Sequence, residues 1–267
     1  NFTTTATNNT YACTYGIPVA TKVQTETTGK NMFGCDYYSK TETINTPGIF
    51  EKDGRKAYLI KISTTKMLDN WSDDVFGNRS SMVRGSRVVY IYGEAVDVNN
   101  KPIWGITGAT ESATLKMKGS DLFGNSYYTV TQNQEYACRY GIPVATKVHT
   151  ATIGTNLFGC DYKSVTITIN TPGIFEKDGR KAYLIQSSTT TMIANWSYDV
   201  FGNRSTKQQG SVVHYAYGET QDIAGNAIWG IVDENTGGDK TYEETPLIMT
   251  GKDIFGNNFT TTATNNT

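Results

Sequence analysis

The strongest constraint on the fold is repetition at two scales. Residues 258–267 spell NFTTTATNNT, as do residues 1–10, which sets a period of 257 residues. Inside it lies a shorter period. YACTYGIPVATKV from Tyr11 returns as YACRYGIPVATKV from Tyr136, NTPGIFEKDGRKAYLI from Asn45 returns unchanged from Asn170, and NWSDDVFGNRS from Asn70 returns as NWSYDVFGNRS from Asn195, each at an offset of 125. The DLFGN at Asp121 and the DIFGN at Asp253 are 132 apart, so the second copy holds seven extra residues, which fall near 235–244. The two offsets together make the long period. The expected organisation is module A over 1–125, module B over 126–257, and the start of a further repeat over 258–267, one turn of a longer tandem array.

Each module is long enough to bury a core of its own. The 24 basic and 25 acidic residues nearly cancel, so no net field draws the chain to nucleic acid or to an anionic membrane. No apolar run reaches membrane-spanning length and no segment resembles a targeting signal.

Alternation dominates the chain and helical periodicity is nearly absent. Segments 22–27, 37–44, 57–63, 88–96 and 127–132 read as half-buried strands, mostly of five to eight residues, rich in Thr, Val, Ile and Tyr. Turn signals at Thr28–Lys30, Asp53–Gly54, Asn99–Asn100 and Ala224–Asn226 separate such strands. The class is therefore all-β: two homologous antiparallel modules, as β-sandwiches or SH3-like barrels, with a β-trefoil as the alternative. A Phe-Gly pair recurs at Phe33, Phe76, Phe123, Phe158, Phe201 and Phe255, mostly as Asp-X-Phe-Gly-Asn. The expected loop has Asp accepting backbone N–H bonds, Phe anchored in the core, and Gly-Asn supplying positive φ.

The four cysteines also repeat. Intramodule bridges Cys13–Cys35 and Cys138–Cys160 are the economical reading and imply an oxidising, extracellular setting; a pair of buried thiols per module is the other. Sequons at Asn1, Asn8, Asn70, Asn78, Asn195, Asn203, Asn258 and Asn265 offer glycosylation sites consistent with that setting.

Asp74-Val-Phe-Gly-Asn-Arg, then Gly85-Ser-Arg-Val-Val-Tyr-Ile-Tyr-Gly, then Asn100-Lys-Pro-Ile-Trp-Gly-Ile resembles the cell-wall-attachment repeats of lactobacillus surface-layer proteins. The resemblance covers about 35 residues per module and implies SH3-like β units that hold a protein on wall polymers.

No catalytic residue, metal site or cofactor is expected. The only histidines, His149 and His214, have Gln24 and Val89 as counterparts in module A and read as exposed strand residues. The repeated carboxylates sit mostly in turns, and the Asp97 and Asp222 loops lack the length of a calcium-binding loop. Trp71 and Trp196, in a polar Asn-Trp-Ser context, either offer exposed rings to a surface glycan or pack over their own loops; Trp104 and Trp229, each between two isoleucines, read as core. The function this pattern favours is a non-enzymatic structural repeat of a large secreted surface protein, forming a filament, stalk, sheath or surface layer against adjacent copies of itself. The alternative is a glycan- or cell-wall-polymer-binding adhesin with repeated weak sites. Either would work outside the cell or at its surface.

Overall fold

The computed structural model describes residues 2–31, 34–222 and 225–264. It is all-β and antiparallel, with eighteen strands in one sheet that does not close into a barrel. The first half holds β1 (Phe2–Thr14), β2 (Ile17–Lys30), β3 (Asp36–Lys52), β4 (Arg55–Asp73), β5 (Arg79–Arg84), β6 (Arg87–Val96), β7 (Pro102–Ala113) and β8 (Leu115–Ser120). The second repeats the order as β9 (Ser126–Arg139), β10 (Ile142–Thr155), β11 (Asp161–Lys177), β12 (Arg180–Tyr198), β13 (Arg204–Gln209) and β14 (Val212–Gln221). There the insertion splits the equivalent of β7 into β15 (Ala227–Val232) and β16 (Tyr242–Thr245), before β17 (Leu247–Lys252) and β18 (Asn258–Ala263).

Several strands run far beyond the expected five to eight residues, β3 to 17 and β4 to 19. Threonine and β-branched residues favour extension along their whole length. Pro47, which donates no ladder hydrogen bond, is accommodated at a register shift between Thr46 and Pro47. The β3–β4 hairpin turns at Asp53 (φ 50°) and Gly54 (φ 73°), the paired positive dihedrals of a two-residue hairpin loop.

A main ribbon passes through β1, β2, β3, β4, β5, β8, β9, β10, β11, β12, β13, β17 and β18, each hydrogen-bonded to the next. β6 and β7 branch away: β6 pairs with the middle of β4 over Ile62–Lys66 and then with β7. The branch is held by the Trp104 indole N–H, which donates to the Ile60 carbonyl at 2.7 Å, and by the Phe50 ring 4.7 Å from it. Trp229, Ile185 and Phe175 repeat this arrangement at 2.8 Å and 4.7 Å.

The core is thin. Among the described residues the buried apolar side chains are Val88, Cys160, Val165, Tyr183 and Ala216. The accessible surface is 15780 Å², against roughly 11,500 Å² for a compact protein of 29.4 kDa. Among the described residues no helix is long and apolar enough to cross a membrane.

Candidate functional site

The feature that organises the molecule is the junction between its halves. β9 lies between β8 and β10: residues 126–131 pair with β8 on one edge, and the whole strand pairs with β10 on the other. Beyond Thr131 the freed edge faces β7. There the Asn133 N–H donates to the Glu111 carboxylate, beside a register shift in the β9–β10 ladder. The hairpin tip Tyr140–Gly141 then lies against β7, where the Ile106 N–H donates to the Gly141 carbonyl at 3.3 Å. The approach is so close that a Cβ on Gly105 would stand 2.7 Å from the Gly141 Cα. Glycine inside a strand here has a steric reason.

Burial at this junction leaves a chemical signature. Desolvation pushes the Tyr136 hydroxyl up to about 12, and it raises Tyr90 and Cys138 as well. Glu111 is raised by burial, partly offset by the Asn133 N–H.

Tyr140 has φ 56°, in the left-handed region that a bulky side chain adopts only at a cost. Its ring packs edge-on against Tyr183, 5.4 Å between centroids, and Tyr183 is only 6% exposed. The matching residues at the outer end of module A are bare. Tyr15 also has φ 55° but is 74% exposed, and Tyr11, the counterpart of the half-buried Tyr136, is 56% exposed. Tyr15 borders an open apolar groove of ≈ 370 Å³ lined by Ile17, Ile49, Ala57 and Tyr58.

At the far end, β18 pairs with β17 in the register that β9 uses on β8, Gly251 facing Phe259 as Gly119 faces Tyr127. β1 pairs with β2 in the register that β9 uses on β10, Phe2 facing Gly29 as Tyr127 faces Gly154. The two pairings that meet on β9 are thus divided between the molecule's ends.

The Phe-Gly loops belong to a wider set of five-residue turns: Asn31–Cys35, Asp74–Asn78, Asp97–Lys101, Asp121–Asn125, Asn156–Cys160, Asp199–Asn203, Asp222–Asn226, Asn235–Asp239 and Asp253–Asn257. In each, the first residue's N–H donates to the fifth carbonyl and the fourth N–H donates to the first carbonyl, with positive φ at the fourth residue. The leading Asp serves as expected: Asp74 accepts from the Phe76 and Asn78 N–H groups, both at 2.9 Å, and from the Asn78 amide at 3.0 Å. The hydrogen bond from Asn78 is the main cause holding the Asp74 carboxyl below its ordinary range.

Two details of these turns differ from expectation. Positive φ falls on Gly77 and not on Asn78, and the phenylalanines do not anchor in the core. Phe76 is 62% exposed and Phe255 81%, because a turn this tight is closed by its own hydrogen bonds and leaves its second and third side chains outside. Six such turns lie along one edge of the ribbon, linked at one place by the Leu157 N–H, which donates to the Asn125 side chain at 3.0 Å. Phe33 lies outside the described residues. The turn expected at Thr28–Lys30 is displaced, since β2 continues to Lys30 and the chain reverses over Asn31–Cys35.

The intramodule disulfides are not formed: no bridge joins Cys13 to Cys35 or Cys138 to Cys160. Cys13 lies opposite Pro18 at one end of β2, and Cys35 closes the turn at the other. Twelve residues of strand separate them by about 40 Å, far beyond the ~7 Å that a bridge spans between Cα atoms. Cys138 and Cys160 are divided in the same way by β10. Of the pair, only Cys160 is buried, while Cys13 is exposed.

Trp71 is half-buried, with the Arg79 guanidinium 3.7 Å over its ring and Tyr38 stacked 6.0 Å away; Arg79 is itself fixed by Asp73 at 2.7 Å. Trp196 has Arg204 at 5.2 Å and Tyr198 edge-on at 5.6 Å. Among the sequons, Asn8 and Asn258 are exposed, and Asn70 is half-buried. The Asn78 and Asn203 amides donate to Asp74 and Asp199, and that of Asn195 to the Met192 sulfur. Asn1 and Asn265 lie outside the described residues.

The histidines are half-buried, not exposed. His214 Nδ1 lies 3.0 Å from the Thr189 hydroxyl and Nε2 lies 2.7 Å from Glu244, with the Tyr242 ring stacked at 4.6 Å. Hydroxyl, imidazole and carboxylate are in contact, but the ring nitrogens face them in the order opposite to a nucleophile relay. Thr189 and Tyr242 are the cross-strand partners of His214, so the cluster is what β12, β14 and β16 place side by side. Module A has Thr64, Val89, Thr110 and Ser112 there, so the cluster is not a property of the repeat. Among the described residues no group of three or more metal-ligating side chains comes together. The Asp97 carboxylate is taken up by the Asn99 and Lys101 N–H groups.

Compared with family models, curated proteins and solved structures, the chain matches none of them.

Proposed function

We propose that the chain is a non-catalytic building unit of a secreted surface structure, a filament, stalk, sheath or surface layer, in which modules follow one another along a continuous sheet. The observation that carries this reading is β9, a single strand hydrogen-bonded into both halves, with its two sets of pairings repeated separately by β18 and β1. A sheet that crosses the boundary between units transmits tension through backbone hydrogen bonds instead of a linker. The large surface and thin core suit a spacer better than a vessel for chemistry. Surface placement is supported by the exposed sequons Asn8 and Asn258, no longer by the cysteines. A glycan-binding role is the weaker reading, since Arg79 covers the face of Trp71 on which a sugar ring would stack.

Six ribbon strands per module, at about 4.8 Å each, predict an axial rise near 29 Å per module before twist shortens it. Electron microscopy of the native material, with the length of its polypeptide from a reducing gel, tests this. Extended particles with that rise support the reading. Compact particles without an axial repeat overturn it.

A further inference from the structure

The outer faces of the molecule carry the two halves of the contact seen at its centre, and we propose that a second copy of this chain docks there head to tail, the β1–β2 hairpin of one copy seated on β15 of the other. This rests on the reading of the chain as an array unit and names the surfaces that would join the units.

The internal junction supplies the template. Gly141, Ile106 and Gly105 have Gly16, Ile231 and Gly230 as counterparts, all at the 125-residue offset. In each pair the outer residue is the more open: Gly105 is buried where Gly230 is half-buried, Ile106 is half-buried where Ile231 is 53% exposed, and Gly141 is half-buried where Gly16 is exposed. Gly230 is the informative member. At Gly105 the absent side chain admits the backbone of the hairpin tip, whereas at Gly230 an added Cβ would meet only the Thr220 and Ile228 side chains. Its φ does not require glycine either, since it is not among the positive-φ residues. A glycine in mid-strand weakens the strand unless another backbone comes close, and the hairpin tip of a second copy is the backbone that fits.

Tyr15 argues the same from the other face. A tyrosine at positive φ opposes local preference, and at Tyr140 the ring has a partner in Tyr183 at a closed junction. Tyr15 keeps the same dihedral with its ring in solvent beside an apolar groove. The Ile231 N–H would then donate to the Gly16 carbonyl of the second copy, as the Ile106 N–H does to Gly141.

One steric consequence follows. The sequence FTTTA lies in both β1 and β18, and β18 already occupies on β17 the place that β1 of the docking copy would take. One of the two has to leave. The exchange replaces each hydrogen bond by an equivalent one, so docking is slowed by a strand that must vacate the site, and removing that strand relieves the competition.

Sedimentation velocity on the full chain and on a chain lacking 258–267 reads this directly. The shortened chain should associate at least tenfold more tightly, into linear oligomers that Tyr15→Asp or Ile231→Asp disperses and that the peptide NFTTTATNNT inhibits by refilling β17. Asp tolerates positive φ, so Tyr15→Asp should leave the hairpin intact. Should the shortened chain fail to fold by circular dichroism, a chain lacking 1–6 removes the same redundancy at the other end and is read in the same way. A folded shortened chain that stays monomeric, or oligomers indifferent to both substitutions, would overturn the docking. Either result leaves the array reading to the native axial repeat, which is measured separately.

Discussion

Gly105 and Gly141 meet backbone to backbone, so near that a single methyl on Gly105 would sit 2.7 Å from the Gly141 Cα. Two glycines 36 positions apart in the sequence thereby seat the hairpin tip of the second half on β7 of the first.

Gly105→Val should therefore destabilise the chain by about 1–3 kcal/mol, the usual cost of forcing volume into a packed contact. Urea denaturation measures the loss, and hydrogen exchange at the Ile106 amide should show that the junction opens first. An unchanged Ile106 amide would mean that the contact is not sustained in solution.

Tyr15 and Tyr140 should respond oppositely to the same substitution. Asn is at ease at positive φ, so Tyr15→Asn should raise stability by up to about 1 kcal/mol, since the exposed ring contributes little in return. Tyr140→Asn gains the same relief but loses the ring packed on Tyr183, and should come out net destabilising. Thermal melts of the two variants give the sign of each.

Asp121 accepts from the Phe123 N–H at 2.9 Å, the Asn125 N–H at 3.0 Å and the Asn125 amide at 2.7 Å. Asp121→Ala should lower stability measurably, because the Phe123 and Asn125 N–H groups lose their acceptor. Asp121→Asn should cost far less, because Asn156 leads an equivalent turn with the same backbone bonds at 3.0 and 2.9 Å. Chemical denaturation of both variants at neutral pH separates the two cases.

The pH dependence should have two windows of opposite sign. Asp74, Asp121, Asp199 and Asp253 are lowered from 3.8, chiefly by hydrogen bonds from Asn78, Asn125, Asn203 and Asn257, so their contribution is present above 3.8 and is lost as the pH falls through their folded values. Glu111 is raised from 4.5 by burial, so its contribution is full below 4.5 and is lost as the pH rises through its folded value. Stability should thus fall in strong acid and also decline on the way from mildly acidic to neutral pH. Glu111→Gln, which retains an acceptor for the Asn133 N–H, should flatten only the second decline.

The thiols should be distinguishable without unfolding the protein. Cys13 should react rapidly with a thiol reagent in the native state and Cys160 only on denaturation, and reduction should leave the intact mass unchanged. A mass gain of two hydrogens per module on reduction would mean that the cysteines are bridged.

The repeat offsets, the antiparallel all-β class and the hydrogen-bonding task of the turn aspartates were legible in the chain, because each is local. A match at 125 residues is visible by inspection, a period of two is carried by neighbouring residues, and an Asp needs only the next four residues to close its turn. The separation of the cysteines is not legible for the converse reason: Cys13 and Cys35 repeat together, but spacing along the chain does not reveal that a fully extended β2 holds them about 40 Å apart. The exposure of the turn phenylalanines is not legible because hydrophobicity suggests burial, whereas the turn hydrogen bonds close without them. The junction had one signal, the glycine set in the apolar run Ile103-Trp-Gly-Ile106, which marks a close backbone approach without naming what approaches.

Sequence by itself thus determined that this protein is a doubled unit of extended strands, because periodicity and β-branched composition act residue by residue. Only the tertiary structure decided that one unit runs into the next without a break. β9 is hydrogen-bonded on both edges, and a strand's two edges are satisfied by residues remote in the chain, so the boundary drawn between Asn125 and Ser126 becomes in three dimensions an uninterrupted sheet.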